Sequence, residues 1–289
     1  MKIIAIDLGK FNCVALILNQ ATQQKHFQST PTTPQDFHHL LTEYQPDHLL
    51  IEVGAQAGWI SELCQMLDIE LHAANTRHAA WMWKYTKRKT DKDDAQKHLD
   101  IFLMGQLDEV HIPTRQTRQW RQLIHTRHFY IKQRTQIANA IRSLLQQQGV
   151  TVPAGHQAWT REGLAHLSRQ CRTLNQCSAD ELWRGILREY LRTLRQLNAS
   201  VKKLELQLRH ISKHNKQVNR LKTIPGVGER LAEMVVAVID DPHRFKKAKQ
   251  VAAYAGLVPK LYESGTMHRQ GRITKAGHPL LRGLLVEVS

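Results

Sequence analysis

The sequence predicts a mixed α/β N-terminal part followed by a helical C-terminal part. Three observations carry this. Short apolar runs alternate with helix-length segments through residues 1–110, the pattern of an α/β layer. Beyond residue 110 the apolar residues recur every three or four positions over long stretches, which is the helical period. Charge divides at the same place. Residues 1–110 hold 10 Lys/Arg against 14 Asp/Glu, whereas residues 111–289 hold 31 against 11. At 289 residues the chain has room for about two domains. Its composition, 42% hydrophobic and 23% charged, excludes a largely disordered or collagen-like chain.

Taken in order, KIIAIDL (2–8) reads as a buried strand, NCVALIL (12–18) as its hairpin partner across Gly9, and 25–29 as a third short strand. Thr33 is placed to cap a helix from Pro34 to Tyr44, with proline at the first helical position. HLLIEV (48–53) is the next strand, stopped by Gly54, and a helix at 57–67 and a strand at 69–74 follow. KYTKRKT (84–90) reads as a basic loop and Asp91 to Met104 as a helix. Residues 114–148 read as one long basic helix. Its stripe is Trp120, Ile124, Ile131, Ala138, Ile141 and Leu145, and Arg115, Arg118, Arg121, Lys132 and Arg134 fill most of the remaining surface.

Residues 150–180 are less regular. From Trp183, the positions Leu187, Tyr190, Leu194, Leu197, Val201, Leu204, Leu208, Ile211, Asn215 and Val218 alternate at four and three. That is a coiled-coil seam of five heptads with Asn215 at an a position. Such a seam pairs either with a second copy or with the 114–148 helix as an antiparallel hairpin. LKTIPGVGERLAEMVVAVI (221–239) reads as a helix-hairpin-helix whose Gly226 and Gly228 expose backbone N–H groups to a phosphate. Asp241-Pro242 starts another helix, through Phe245 to Tyr254, whose Lys246, Lys247 and Lys249 suit phosphate contact or a solvated face. Ser264-Gly265 falls in a polar, glycine-rich loop among Lys260, His268, Arg269, Arg272 and Lys275. Serine before glycine is ordinarily a turn. The same setting, a flexible loop with cations for phosphate oxygens, also suits a serine nucleophile.

No apolar run approaches the ~18 residues of a membrane-spanning helix. Asp7 and Lys10 interrupt the apolar N-terminus, which argues against a signal peptide and for a cytoplasmic protein. Cys13, Cys64, Cys171 and Cys177 lack C-x-x-C spacing and read as buried small hydrophobes. Carboxylates are absent from His111 to Arg161, which holds eight Lys/Arg, and again from Leu206 to Gly228. A field of that sign attracts polyanions. Nucleic acid fits better than an acidic membrane, because no basic amphipathic helix carries a lipid-type aromatic face.

The carboxylates of the N-terminal part suggest chemistry. Asp7 and Glu52 each end an apolar strand, and Asp91 and Asp94 lie three apart on one helical face, with Asp93 about 100° away. Four convergent carboxylates repel unless a cation neutralises them. Oxygen-only donors suit Mg²⁺ or Mn²⁺, two of which about 4 Å apart clamp the oxygens of a phosphodiester. Each piece also has a plain structural reading, as a turn residue before glycine or as acids favouring a helix N-terminus. IAIDLG also opens the actin and sugar-kinase fold, which wants Thr or Ser where Lys10-Phe11 stand.

The motifs occur in one order: AIDLGK with Asp7, LLIEVGA with Glu52, KTDKDDA with Asp91 and Asp94, IPGVG, GLVP with Ser264-Gly265, and GRITKAGHPLLR. Together they resemble the DEDD transposases of bacterial insertion sequences, relatives of the Piv DNA invertase that are similar to bridge-RNA-guided recombinases. The resemblance implies an RNase H-like (RuvC-type) catalytic domain at 1–110. A basic helix and coiled-coil assembly region would follow at 111–220, and a C-terminal transposase domain with the serine loop at 221–289. It further implies an Mg²⁺-binding tetrad of Asp7, Glu52, Asp91 and Asp94 and a phosphoserine formed on Ser264. The partners implied are donor and target double-stranded DNA, a noncoding guide RNA and further copies of the chain, so that tetrad and serine come from different protomers. Arg269, Arg272 and Lys275 are candidates for the phosphate oxygens. Family members usually continue some tens of residues past the L-L-R-G-L-L-V-E helix, and a short or truncated member is the expectation here. The rival readings are a metal-only junction nuclease with an inert serine and a non-enzymatic nucleic-acid-binding protein.

Overall fold

The apolar runs of the N-terminal part assemble into one sheet. Its strands are β1 (Lys2–Asp7), β2 (Asn12–Asn19), β3 (Gln24–Pro31), β4 (His48–Glu52) and β5 (Glu70–Ala74), in the order β3-β2-β1-β4-β5. The computed structural model describes residues 1–75, 90–264 and 267–288. The basic run at 84–90 lies, apart from Thr90, outside the described residues, as does Gly265. The first three strands are antiparallel, and β4 and β5 run parallel to β1. Parallel neighbours need crossovers, which α1 (Pro34–Tyr44) and α2 (Ala57–Met66) supply. Thr33 caps α1 by accepting from the Asp36 N–H.

Alternation along the strands sorts side chains to two faces. Ile4, Ile6, Ala15, Ile17, Leu49 and Ile51 meet Phe37, Leu40 and Leu41 of α1 and Ile60 and Leu63 of α2. The other set, Ile3, Ala5, Leu16, Leu18 and Leu50, is covered by Ala95 and Leu99 of α3 (Asp91–Leu103). The strands are therefore apolar on both sides, which is why they read as continuous runs rather than as alternation. This five-stranded sheet with helices on both faces has the mixed α/β layout expected of an RNase H-like domain.

The chain divides into two compact units, Met1–Arg118 and Gln119–Ser289. The helix α4 (Arg115–Gln147) begins at the end of the first and supplies the start of the second. After α5 (Arg161–Arg169) comes α6 (Leu182–Lys213). Ile141 and Leu145 of α4 pack on Leu187, Leu191 and Leu194 near the start of α6. Trp120 and Ile124 pack with Leu208 near its end, so the two helices run antiparallel. Arg127 donates to Glu205 at 2.6 Å between them. Within the chain, the stripe of α6 packs on α4 as the antiparallel hairpin. The five-heptad reading is corrected at its end. The helix stops at Lys213, and Asn215 is no a-position residue but the cap of α7 (Lys216–Leu221), its side chain accepting from the Val218 N–H at 3.0 Å.

A turn through Gly226 and Gly228 leads from α7 to α8 (Glu229–Ile239). The single helix expected after Asp241 is two pieces, a 3₁₀ turn at Pro242–Arg244 and α9 (Ala248–Tyr254). The serine loop is likewise corrected. Ser264 is the last residue of β6 (Pro259–Ser264), paired antiparallel with β7 (Met267–Ile273). Glycine and charge content disguised this hairpin as a loop. The chain then enters α10 (Pro279–Val288). Leu231, Met234 and Val238 of α8 form a core with Leu281 of α10 and Val218 of α7. Among the described residues no helix is long and apolar enough to cross a membrane.

Candidate active site and nucleic-acid interface

Asp7 and Glu52 close β1 and β4 at their C-terminal ends. The register Ile6↔Ile51 puts them one step further along on adjacent strands, which lie about 4.8 Å apart. Asp7 shares its parity with Ile3 and Ala5, and Glu52 shares its own with Leu50, so both belong to the face that α3 covers. Gly9 lets the chain reverse directly after Asp7, since a Cβ there would lie 2.0 Å from the Asn12 carbonyl oxygen.

The direction of α3 brings its first turn to the same edge. Phe102, near its C-terminal end, packs against His48 at the start of β4 and His72 of β5. Its N-terminus therefore lies toward the strand ends that carry Asp7 and Glu52. Asp91 stands one turn before Ala95, and Asp94 one turn before the buried His98, both on the sheet side. Asp7, Glu52 and Asp94 are half-buried and Asp91 is exposed. Asp93 has a different task. Its carboxylate accepts from the Thr90 N–H at 2.9 Å and hydroxyl at 2.7 Å, completing a capping box. Those bonds hold its carboxyl below the usual range. The donor set that remains is four carboxylates at a solvent-reachable rim, with chemistry that fits a hard divalent cation.

The basic side chains expected on nucleic acid fall into two groups. Arg118 is committed to Glu62 and to the Pro113 carbonyl, and Arg115 lies 3.9 Å from Glu62. Arg121 has a structural task. It donates to the carbonyls of Ala237 and Val238 at 2.6 and 2.9 Å, closing the C-terminal end of α8. Lys132 is exposed, and half-buried Arg134 lines a cavity with Arg142, His156 and Trp159. Lys246, Lys247, Arg269, Arg272 and Lys275 are exposed, as are Gly226 and Gly228. Lys260, Arg269 and Arg272 of the β6–β7 hairpin, with Lys275 just after it, line a groove of about 560 Å³.

A cluster that sequence reading missed lies at the other end of the sheet, where His48, Glu70 and His72 converge. Its only sequence signal is the E-L-H spacing of β5, which places Glu70 and His72 on one face.

Comparison with known proteins gives a consistent class, that of transposases. A family model described as a transposase, the DEDD type of IS110 elements, matches residues 4–149, and one described as the transposase IS116/IS110/IS902 family matches residues 218–289. The chain belongs to the IS110/IS116/IS902 family of transposases. The transposase for insertion sequence element IS1111A of Coxiella burnetii is 29% identical over 198 residues, 68% of this chain and 53% of that protein. A putative transposase of Sinorhizobium fredii is 30% identical over 207 residues, 70% of this chain and 51% of its own. The pilin gene-inverting protein of Moraxella lacunata is 39% identical over 72 residues, 25% of this chain and 22% of its own. The chain spans about half the length of the first two relatives. A solved Thermus thermophilus RuvC aligns with 38% of this chain and 100% of its own at 14% identity and a TM-score of 0.25. The sheet order carries the fold assignment here, not that alignment.

Proposed function

We propose that this chain cuts and rejoins double-stranded DNA as the recombinase of an insertion sequence, with a carboxylate tetrad and a serine nucleophile in separate units. The supporting observation is the placement of Asp7, Glu52, Asp91 and Asp94, from three elements, toward one edge and on one face of the sheet. These four side chains hold Mg²⁺, with Mn²⁺ as a substitute. The bound ion supplies charge neutralisation at the scissile phosphate. Ser264 attacks phosphorus through its hydroxyl oxygen, the bond to the leaving strand breaks, and the departing oxygen takes up a proton. Bond energy is thereby kept in a phosphoserine for rejoining to another strand. Arg269 and Arg272, exposed on the same hairpin as Ser264, and Lys275 just beyond it bind the phosphate oxygens. Lys132, Lys246, Lys247 and the Gly226/Gly228 turn hold the backbone of donor and target DNA and of a noncoding guide RNA. Self-association lets one copy's serine serve another copy's tetrad.

Labelled DNA on a denaturing gel tests this reading. The expected product is a protein-sized adduct removed by protease, absent from Ser264→Ala and from Asp7→Asn, both of which still bind nucleic acid. Full recombination by Ser264→Ala would leave the carboxylates acting alone, as in a junction nuclease. Undiminished cleavage in EDTA would remove the metal.

A further inference from the structure

The cluster at the start of β4 and β5 has the geometry of a second metal centre. His48 and Glu70 are register partners on adjacent parallel strands, and His72 follows Glu70 by two residues on the same face. His48 Nδ1 lies 3.0 Å from His72 Nε2 and 3.3 Å from a Glu70 oxygen, and His72 Nε2 lies 3.7 Å from the other Glu70 oxygen. Ligand atoms on a tetrahedral zinc at bond lengths near 2.0–2.1 Å sit about 3.3 Å from one another. The three separations bracket that value.

Proton counting points the same way. His72 Nδ1 lies 2.8 Å from a Glu109 oxygen, a carboxylate that can only accept, so Nδ1 donates to it and Nε2 is the ring nitrogen turned to the cluster. The His48 tautomer that keeps its proton on Nε2 turns a lone pair at Nδ1 toward His72 and Glu70 as well. In that tautomer three lone-pair donors face one point, and a cation satisfies all of them. Glu109 would stand behind His72 as the carboxylate that orients a metal-bound imidazole. Phe102 stacks over both rings at centroid distances of 5.4 and 4.8 Å, giving the cluster an apolar wall.

We infer that His48 Nδ1, His72 Nε2 and the Glu70 carboxylate form a site for a zinc-class divalent cation, distinct from the carboxylate tetrad. Two imidazoles with one carboxylate select a borderline metal rather than Mg²⁺. Four residue steps along β4 separate His48 from Glu52, roughly 13 Å. The ion would tie β4 to β5 and, through Glu109, to the segment that bridges back to Ala74. Its role is therefore to lock the sheet edge.

The test uses the untagged full chain, stripped of metal and titrated with Co²⁺. One equivalent should produce visible d–d bands of a four-coordinate nitrogen/oxygen site, bleached by Zn²⁺. His48→Gln and His72→Ala should abolish the bands, and Glu109→Gln should weaken binding by about 10–100-fold. An Asp7→Asn/Asp91→Asn chain should keep them, which separates this site from the tetrad. Zn²⁺ should raise the melting temperature of the wild type but not of His48→Gln, whose far-UV spectrum reports its folding. Absence of the bands in wild type, or bands unchanged in His48→Gln, would overturn the site.

Discussion

His278 precedes the proline that opens α10, and its Nε2 lies 3.1 Å from that of His125. Burial first, then the charges of His125, Arg121 and Arg282, push its pKa down to about 4. An unfolded histidine titrates near 6.5. Between those values the unfolded chain binds a proton that the folded chain refuses, so stability rises with pH across that window. The denaturant midpoint of the second unit should therefore be full above about pH 6.5 and fall as pH drops toward 4. His278→Gln should flatten that slope. The cysteines give a second test. Burial pushes the Cys13 and Cys64 thiols up to about 11 and 12, whereas Cys171 and Cys177 are only half-buried. Burial raises the Cys171 thiol as well, so under native conditions at pH 7.5 a maleimide should label the half-buried pair faster than Cys13 and Cys64, as peptide mapping would show, because the thiolate is the reactive form.

At the scale of elements, α3 links folding to the proposed chemistry. Thr90 and Asp93 cap the helix whose first turn presents Asp91 and Asp94. Thr90→Ala should lower stability by about 0.5–2 kcal/mol and reduce cleavage by loosening that turn. Asp91→Asn should leave the melting temperature nearly unchanged yet abolish cleavage, because Asp91 has no part in the cap. The α4–α6 hairpin makes a separate prediction. Leu191 is fully packed against Ile141 and Leu145. Leu191→Ala should cost about 2–5 kcal/mol, read as a shifted denaturation midpoint that does not depend on protein concentration. A concentration-dependent midpoint would mean that the same stripe also holds copies together.

Across the whole molecule, the charge split separates an acidic first part from a second with 31 Lys/Arg against 11 Asp/Glu. Binding to nucleic acid should therefore be largely electrostatic. If about 6–10 phosphates are neutralised, affinity should fall by roughly 10³–10⁵ between 50 and 200 mM salt, measurable by fluorescence anisotropy. Arg269→Ala should reduce the salt slope by about one phosphate. Arg121→Ala should instead lower stability, because its guanidinium is spent on the end of α8.

What the sequence by itself determined was everything governed by local period and by element ends. The five strands, the helices of the first unit and the edge positions of Asp7, Glu52, Asp91 and Asp94 follow from apolar runs, caps and spacing, which act over a few residues. Only the tertiary structure decided what covers each apolar stripe. Periodicity specifies that one face of α6 must be buried, but not that Ile141 and Leu145 of α4 are among the side chains that cover it. Asn215 had the heptad spacing of a core residue, yet it ends one helix and starts another, because a side-chain cap competes with the backbone at a break. Arg121 and the trio of His48, Glu70 and His72 acquire their roles from partners tens of residues away or more, which no local pattern encodes. The β6–β7 hairpin escaped for a related reason. Leu261, Tyr262 and Met267 on its strands are exposed, so no alternating core face marks them as strands.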